Sequence, residues 1–169
     1  MSPDKTAELT ADVAAYRGMI FRLAFGCTGS RFDADDMAQE AFLRLYNYNK
    51  PFTDAEHKKA FLIRVTVNLC KNLQKSAWRQ KRSELSEDCY GNQACTSAYN
   101  EDESVLRDYI LKLKPNYRAV IHLFYYEGYS AAETAKILKI SETAVTTRLQ
   151  RARSMLKTQL INDMEAVYE

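Results

Sequence analysis

Apolar residues recur in steps of three and four through most of this 169-residue chain, a spacing that places them along one side of a helix. The predicted helices cover Val13–Phe25, Asp33–Tyr48, Phe61 to about Arg82, Val105–Leu113 and a segment after Pro115. We interpret Thr53–Lys59 as a polar connection between the second and third helices. Because almost every segment reads as helical, the pattern predicts an all-α fold.

Residues 83–104 interrupt this pattern, since the small, polar and acidic residues there show no apolar periodicity. Such a segment buries too little surface to offset the entropy of ordering it, so we expect a flexible acidic linker. The predicted organisation is two small helical modules, residues 1–83 and 104–169, joined by a linker over residues 84–103. The second module contains a predicted helix-turn-helix.

The segment from Ser130 to Arg153 carries the helix-turn-helix pattern. Ser130 and Glu133 form a capping box at the start of the first helix, and Ser141 is an N-cap candidate for the second. The turn holds Lys139, where such turns often hold glycine. The positions expected to be buried are small or aliphatic, namely Ala132, Ala135, Leu138, Val145, Leu149, Ala152 and Leu156.

The outward face of the second of these helices mixes short hydrogen-bonding side chains with arginine, which suits a helix that enters a DNA major groove. Its residues are Thr143, Thr146, Thr147, Gln150, Arg151 and Ser154. Between Lys136 and Lys157, six residues are basic and one is acidic, which favours DNA contact. The alternative is an ordinary helical hairpin whose polar face is solvated.

A stripe on the second predicted helix combines carboxylates and an amide with a surface leucine. Its residues are Asp36, Gln39, Glu40 and Leu43. The stripe suits docking against a basic, partly apolar partner such as a coiled coil, and a merely solvated acidic face is the alternative. The apolar face of the same helix is predicted to comprise Met37, Ala38, Ala41, Phe42 and Leu45.

The third predicted helix is strongly basic: residues 58–82 contain eight Lys or Arg and no acid, and six of the eight lie in this helix. Its basic and amide residues are Arg64, Asn68, Lys71, Asn72 and Lys75, extended by Trp78, Arg79 and Arg82. This face suits a phosphate backbone and unstacked bases. The alternative is that it keeps the helix soluble while the indole packs on its own module. The expected core stripe is Leu62, Val65, Leu69 and Leu73.

Other classes of site find little support in the chain. There is no glycine-rich phosphate loop and no metal-ligand spacing, so we expect neither an enzyme nor a cofactor. Asp33 is expected near a helix start rather than as a magnesium ligand. The lack of a long apolar run and of a signal-peptide pattern predicts a cytoplasmic protein. Cys27 and Cys70 are expected to be buried thiols, and Cys89 and Cys95 to be incidental, with a redox switch as the alternative.

With these residues in view, the chain resembles bacterial RNA polymerase sigma factors of the extracytoplasmic-function group. Two motifs carry the first half of the resemblance, DADDMAQEAFLRLY (33–46) and AFLIRVTVNLCKNLQKSAWRQKR (60–82). They are similar to the family's D-A-E-D-x-x-Q-E-x-F and W-L-x-x-I-x-x-N-x-x-x-D segments, and residues 111–156 are similar to its second DNA-binding module. The departures from the family pattern are Phe61 for Trp, Asn72 for Asp, and Lys139 and Thr143 for glycines.

The resemblance implies three contact faces. The face implied to dock on the clamp helices of the polymerase's largest subunit comprises Asp36, Gln39, Glu40 and Leu43. The face implied to hold the minus-ten element and the melted non-template strand comprises Arg64, Asn68, Lys71, Asn72 and Lys75. The face implied to read the minus-thirty-five element comprises Thr143, Thr146, Thr147, Arg148, Gln150 and Arg151.

The implied partners are core RNA polymerase, including the flap of its second-largest subunit, promoter DNA and an anti-sigma factor, without direct membrane insertion. Two other interpretations remain open on the residues alone. A free-standing helix-turn-helix regulator would bind duplex DNA without polymerase, but it leaves the acidic stripe and the basic third helix without a role. A protein-only helical adaptor would show no salt-sensitive DNA affinity.

Overall fold

The computed structural model describes residues 3–83 and 101–168. All regular structure in these two ranges is helical, and the predicted all-α class is confirmed. The chain divides into two compact units, Met1–Cys95 and Thr96–Glu169. The predicted linker with Cys89 and Cys95 lies outside the described residues, as do the side chains of Trp78, Arg79 and Arg82.

The first unit consists of helices α1 (Pro3–Thr28), α2 (Arg31–Asn47) and α3 (Ala55–Ser83). All three helices contribute side chains to its core. The buried residues include Ile20, Leu23, Ala24, Cys27, Ala34, Ala38, Ala41, Phe42, Leu45, Leu62, Ile63, Val67, Leu69 and Cys70. Both cysteines are free thiols in this core, as predicted.

Two helices begin earlier than predicted. Helix α1 begins at Pro3 rather than Val13, and α3 begins at Ala55, inside the segment predicted to be a polar connection. Ion pairs join the first turn of α3 to the second and third turns of α1, with Lys58 Nζ 2.8 Å from Glu8 Oε1 and 3.0 Å from Asp12 Oδ2. Hydrogen bonding to Glu8 raises the pKa of Lys58, and the same bond lowers the pKa of Glu8. Because ion pairs join these turns, the periodicity of apolar residues does not predict them.

The buried face of α3 is wider than the predicted stripe. Val65 and Leu73 are only half-buried, whereas Ile63, Thr66 and Val67 are buried. The reason is that α3 packs against both α1 and α2, so that two adjacent stripes are covered. A similar shift occurs on α2, where Ala34 is buried and Met37 is only half-buried.

The second unit consists of α4 (Glu101–Leu111), α5 (Pro115–Ile121), a π-helical turn over His122–Tyr126, α6 (Ala131–Leu138) and α7 (Glu142–Tyr168). Pro115 occupies the first turn of α5, as predicted, while α4 begins before the predicted Val105. The core of this unit comprises Ile110, Leu113, Val120, Ile121, Ala135, Val145, Leu149 and Ala152.

The capping signals of the helix-turn-helix are confirmed. The Glu133 N–H donates to Ser130 Oγ at 3.1 Å, and the Ser130 N–H donates to Glu133 Oε2 at 2.8 Å. The Ala144 N–H donates to Ser141 Oγ at 3.0 Å, which makes Ser141 the cap of α7. Ala132 was wrongly predicted to be buried: it is exposed, and Thr134 is buried instead. Leu138 and Leu156 are only half-buried, and both pack against the core of the unit.

The turn between α6 and α7 is closed by Lys139 in the left-handed conformation, with φ 53° and ψ 46°. Among the described residues, it is the one non-glycine with a positive φ. The Ile140 N–H donates to the Ala135 carbonyl at 3.0 Å, and the Lys139 N–H donates to the Lys136 carbonyl at 3.4 Å. These two bonds form a Schellman motif, the usual helix ending in which glycine takes this position.

Candidate functional site

The acidic stripe of α2 lies on the solvent side of the first unit. Asp36 and Gln39 are exposed and Glu40 is partly exposed, while Leu43 is 54% exposed. Arg44 Nε donates to Glu40 Oε1 at 2.9 Å within the helix, so one carboxylate is already partly neutralised. The structure thus places the four residues on one accessible face, which can bury an apolar side chain and pair carboxylates with a basic partner.

The five basic and amide residues of α3 lie together, opposite its buried face. At the 100° step of an α-helix they fall within an arc of about 100°. Asn68, Asn72 and Lys75 are exposed, and Arg64 and Lys71 are half-buried. Since Glu56 is the only acid in the α3 sequence, this face is a positively charged surface with amide groups, suited to a sugar–phosphate backbone and base edges.

An aromatic cluster adjoins the N-terminal end of this basic face. Phe61 lies one turn before Arg64, and its ring centroid is 4.6 Å from that of Tyr48 and 5.4 Å from that of Phe52. All three residues are half-buried, so the cluster keeps some accessible aromatic surface beside the basic face, and such surface can stack with unpaired bases. Of these residues, only Phe61 was identified from the sequence. Tyr48 and Phe52 could have been noticed as aromatic residues on either side of Pro51.

The α2–α3 connection that carries this cluster is fixed by a helix cap. The His57 N–H donates to Asp54 Oδ1 at 2.7 Å, which makes Asp54 the N-cap of α3. His57 then packs edge-on against Phe52, with ring centroids 5.2 Å apart. A capped helix start beside packed rings orders the segment before any ligand binds, which lowers the entropy cost of binding.

The outward face of α7 divides into a centre and two flanks. Thr143, Thr147 and Gln150 lie at the centre, opposite the buried Val145, Leu149 and Ala152. Arg151 is exposed beside the centre, and Arg148 lies nearer the packed side and is half-buried. The structure therefore brings the predicted residues to one side of α7, but Arg148 is placed to reach a groove wall rather than its floor.

Thr146 lies on the other flank, and its hydroxyl already has partners. Thr146 Oγ1 donates to the carbonyls of Glu142 and Thr143, at 3.2 and 3.0 Å. Its single hydrogen is used within the helix, and the oxygen lone pairs remain able to accept a hydrogen bond. This side chain can therefore accept from a base amino group, and it cannot also donate to a base acceptor while the intrahelical bond holds.

The long helix α7 is anchored beyond the helix-turn-helix by a contact to α4. Tyr109 Oη donates to Asp163 Oδ2 at 2.5 Å, and this bond raises the pKa of Tyr109. Arg153 lies over the ring of Tyr125, 5.8 Å from its centroid. Such contacts, with the buried apolar side of α7, fix the direction in which its polar face points.

Metal-binding clusters and membrane-spanning helices are both absent from the residues that the structure describes. Within them, no group of three or more His, Cys, Asp or Glu residues is arranged to hold a metal ion. No helix in the same ranges combines the length and the apolar character needed to cross a membrane.

Comparison with known proteins gives matches for both units. The family profile Sigma-70 region 2 matches residues 13–80, and the profile Sigma-70, region 4 matches residues 104–156. The RNA polymerase sigma-E factor of Streptomyces coelicolor is 30% identical over 138 residues, which cover 79% of this chain and 76% of that protein. The ECF RNA polymerase sigma factor SigW of Bacillus subtilis is 29% identical over 163 residues, covering 88% of this chain and 86% of SigW.

The fold is also that of a solved sigma factor. The sigma factor RpoE of Bartonella quintana, solved in complex with the anti-sigma factor NepR, matches with a TM-score of 0.67 at 16% identity, covering 90% of this chain and 96% of RpoE. The two units thus correspond to the two domains of a transcription initiation factor. The chain belongs to the sigma-70 family of RNA polymerase sigma factors, in its extracytoplasmic-function group.

Proposed function

We propose that this protein binds core RNA polymerase and directs promoter-specific transcription initiation, by recognising the minus-thirty-five and minus-ten elements and capturing melted DNA. The single observation that carries the proposal is the presence of sigma-70 regions 2 and 4, in that order, on one chain. The three polar faces on α2, α3 and α7 support it, since each is exposed and each has the chemistry that its assigned partner needs.

Core polymerase is proposed to dock on the α2 face, through Asp36, Gln39, Glu40 and Leu43. Leu43 would bury in an apolar pocket of the clamp helices, while the carboxylates pair with basic side chains around it. A buried apolar residue surrounded by polar contacts is the usual arrangement at the centre of a protein interface. The flap of the second-largest subunit is proposed as a further contact of the polymerase with the second unit.

The α3 face is proposed to hold the minus-ten element as single-stranded DNA. Arg64, Lys71 and Lys75 would contact phosphates, and Asn68 and Asn72 would discriminate bases through their amide groups. An unstacked base would be captured near Asn68. The rings of Phe61 and its neighbours, about 10 Å away along the helix axis, offer a stacking surface for another base of the same strand. The free energy of this binding drives strand separation.

The α7 face is proposed to lie in the major groove of the minus-thirty-five element. Thr143, Thr147, Gln150 and Arg151 would face base edges, with Thr146 accepting a hydrogen bond at one margin of the contact. Arg148 would contact a phosphate, in keeping with its position nearer the packed side of α7. This division separates contacts that specify a sequence from contacts that position the helix.

The protein itself is proposed to be cytoplasmic and to catalyse no reaction, since the polymerase carries out nucleotide addition. An anti-sigma factor is proposed as a regulatory partner. The structural relative RpoE was solved with the anti-sigma factor NepR, and this chain shares its fold. Such a partner would hold the protein inactive by covering one or more of the three faces.

The proposal is tested by size-exclusion chromatography of the purified protein with sigma-free core polymerase. We expect co-elution at a ratio of one to one, lost in Asp36→Lys and kept in Asp35→Lys. These neighbouring exposed carboxylates differ by about 100° around α2, so the control matches charge, exposure and distance from the helix start. A protein that stays free of core polymerase but binds duplex DNA as a dimer would instead be a free-standing regulator.

A further inference from the structure

A second large apolar side chain lies on the solvent side of α2. Phe32, in the first turn, is 73% exposed, and Leu43, near the other end, is 54% exposed. Phe32, Asp36, Glu40 and Leu43 follow one another in steps of four, four and three, the spacing of a single helical stripe. At 100° per residue, Phe32 and Leu43 differ by only about 20° around the helix axis.

Phe32 does not contribute to the core of the first unit. The buried residues of α2, among them Ala34 and Ala41, lie on the opposite side of the helix. An isolated surface hydrophobic residue requires no explanation. Two large apolar residues on one stripe with carboxylates between them form instead an amphipathic surface that nothing within the described part of the first unit covers.

The first turn of α2 is also held in place. The Asp33 N–H donates to Ser30 Oγ at 3.2 Å, which caps the helix immediately before Phe32. Thr28 Oγ1 bonds to the Ala24 carbonyl at 2.8 Å, and the Ser30 N–H donates to the same hydroxyl at 3.4 Å. The backbone that carries Phe32 is therefore ordered in the free protein, so that its burial requires little further ordering.

We propose that Phe32 is a second apolar anchor of the core-polymerase interface, which makes the docking surface extend over the whole outer face of α2. The inference builds on the proposed function, because the partner is the coiled coil formed by the clamp helices of the polymerase's largest subunit. Phe32 and Leu43 lie about 16 Å apart along the helix axis. A single partner helix lying along α2 can therefore contact both side chains, through apolar residues about three turns apart on its outer face.

Charge complementarity determines which polar residues the partner surface carries between its apolar contacts. Asp36 and Glu40 lie between the two anchors, and both keep accessible carboxylate surface. The partner face that fits this surface carries basic residues between its two apolar contacts, opposite these carboxylates. The apolar anchors contribute affinity and the carboxylates contribute orientation and association rate.

The test measures the dissociation constant of the full-length protein for core polymerase by fluorescence anisotropy. We compare wild type with Phe32→Ala, Phe32→Leu and Leu43→Ala. Tyr168→Ala is the matched control, since it removes an aromatic ring that is 86% exposed at the C-terminal end of α7. Circular dichroism and thermal unfolding of each variant verify that the first unit remains folded.

We expect Phe32→Ala and Leu43→Ala each to weaken core binding by about tenfold or more, as removal of an interface anchor does. Phe32→Leu should retain affinity within about threefold, because an apolar side chain is kept, and Tyr168→Ala should bind as wild type does. Wild-type affinity in folded Phe32→Ala, with Leu43→Ala still impaired, would overturn the assignment of Phe32 and leave the proposed function standing. Failure of the wild-type protein itself to bind core polymerase would overturn both.

Discussion

Replacement of Lys139 by glycine is expected to stabilise the helix-turn-helix. Lys139 has φ 53° and ψ 46° at the end of α6, within the left-handed region that L-residues adopt at a cost of about 1–2 kcal/mol. Glycine adopts it without that cost, but it loses about 0.5–1 kcal/mol more conformational entropy on folding. The difference is a gain of about 0.5–1 kcal/mol in the free energy of unfolding of this unit.

Amide hydrogen exchange of the full-length protein measures this change in the unit where it occurs. The informative amides are those of Val145 and Leu149, whose side chains are buried in the core of the second unit. A gain of 0.5–1 kcal/mol slows exchange through opening of the unit by about two- to fivefold. Amides in the core of the first unit, such as that of Leu62, serve as an internal reference and should exchange at the wild-type rate.

The control variant is Lys139→Ala, which removes the same long side chain but keeps the Cβ that makes the left-handed conformation costly. We expect its exchange rates to stay within about twofold of wild type, since the backbone cost remains. Equal slowing in the alanine and glycine variants would show that the lysine side chain, and not the backbone, is responsible. Unchanged or faster exchange in Lys139→Gly would show that glycine relieves no backbone cost at this position.

Three further outcomes are expected. Glu40→Lys should abolish co-elution with core polymerase while the far-ultraviolet circular dichroism stays unchanged, whereas Glu40→Gln should keep measurable binding. Arg151→Ala should weaken binding to minus-thirty-five duplex DNA by about 1–3 kcal/mol in competition assays with the holoenzyme, and a loss equal for all sequences would assign Arg151 to phosphate. Lys58→Met should make the midpoint of urea unfolding less sensitive to acid. Pairing with Lys58 lowers the pKa of Glu8 from its ordinary 4.5, so the ion pair stabilises the fold above that pH, and this stabilisation is lost as the pH falls and Glu8 is protonated. Equal acid sensitivity in wild type and Lys58→Met would contradict the last prediction.

The helix-turn-helix could be predicted closely because its signals are local. The capping box of Ser130 and Glu133, the cap at Ser141, and the buried positions Val145 and Leu149 all depend on residues three to eight apart. Local hydrogen bonds and helical periodicity need no knowledge of the rest of the fold. Burial was predicted for Ala132 instead of Thr134, because the rotation of a short helix about its axis depends on the elements against which it packs.

The first unit was harder to predict where helices depend on distant residues. The early turns of α1 and α3 have charged sequences, and Lys58 pairs with Glu8 and Asp12, which lie far from it along the chain. The wide buried face of α3, which includes Ile63, exists because two helices flank it. The exposure of Phe32 could not be read from its type, since a phenylalanine at helical spacing is more often a core residue.

The proposed function is tested directly by transcription from mixed genomic DNA, with sigma-free core polymerase supplied with the purified protein. Mapped transcripts should begin at discrete sites that core polymerase alone does not use. Upstream of these sites, two shared sequence elements should lie a nearly constant distance apart. A housekeeping sigma factor added to the same core preparation verifies that the polymerase is competent. Absence of discrete start sites with this protein, in a reaction where the control sigma factor initiates, would show that the protein does not direct promoter-specific initiation.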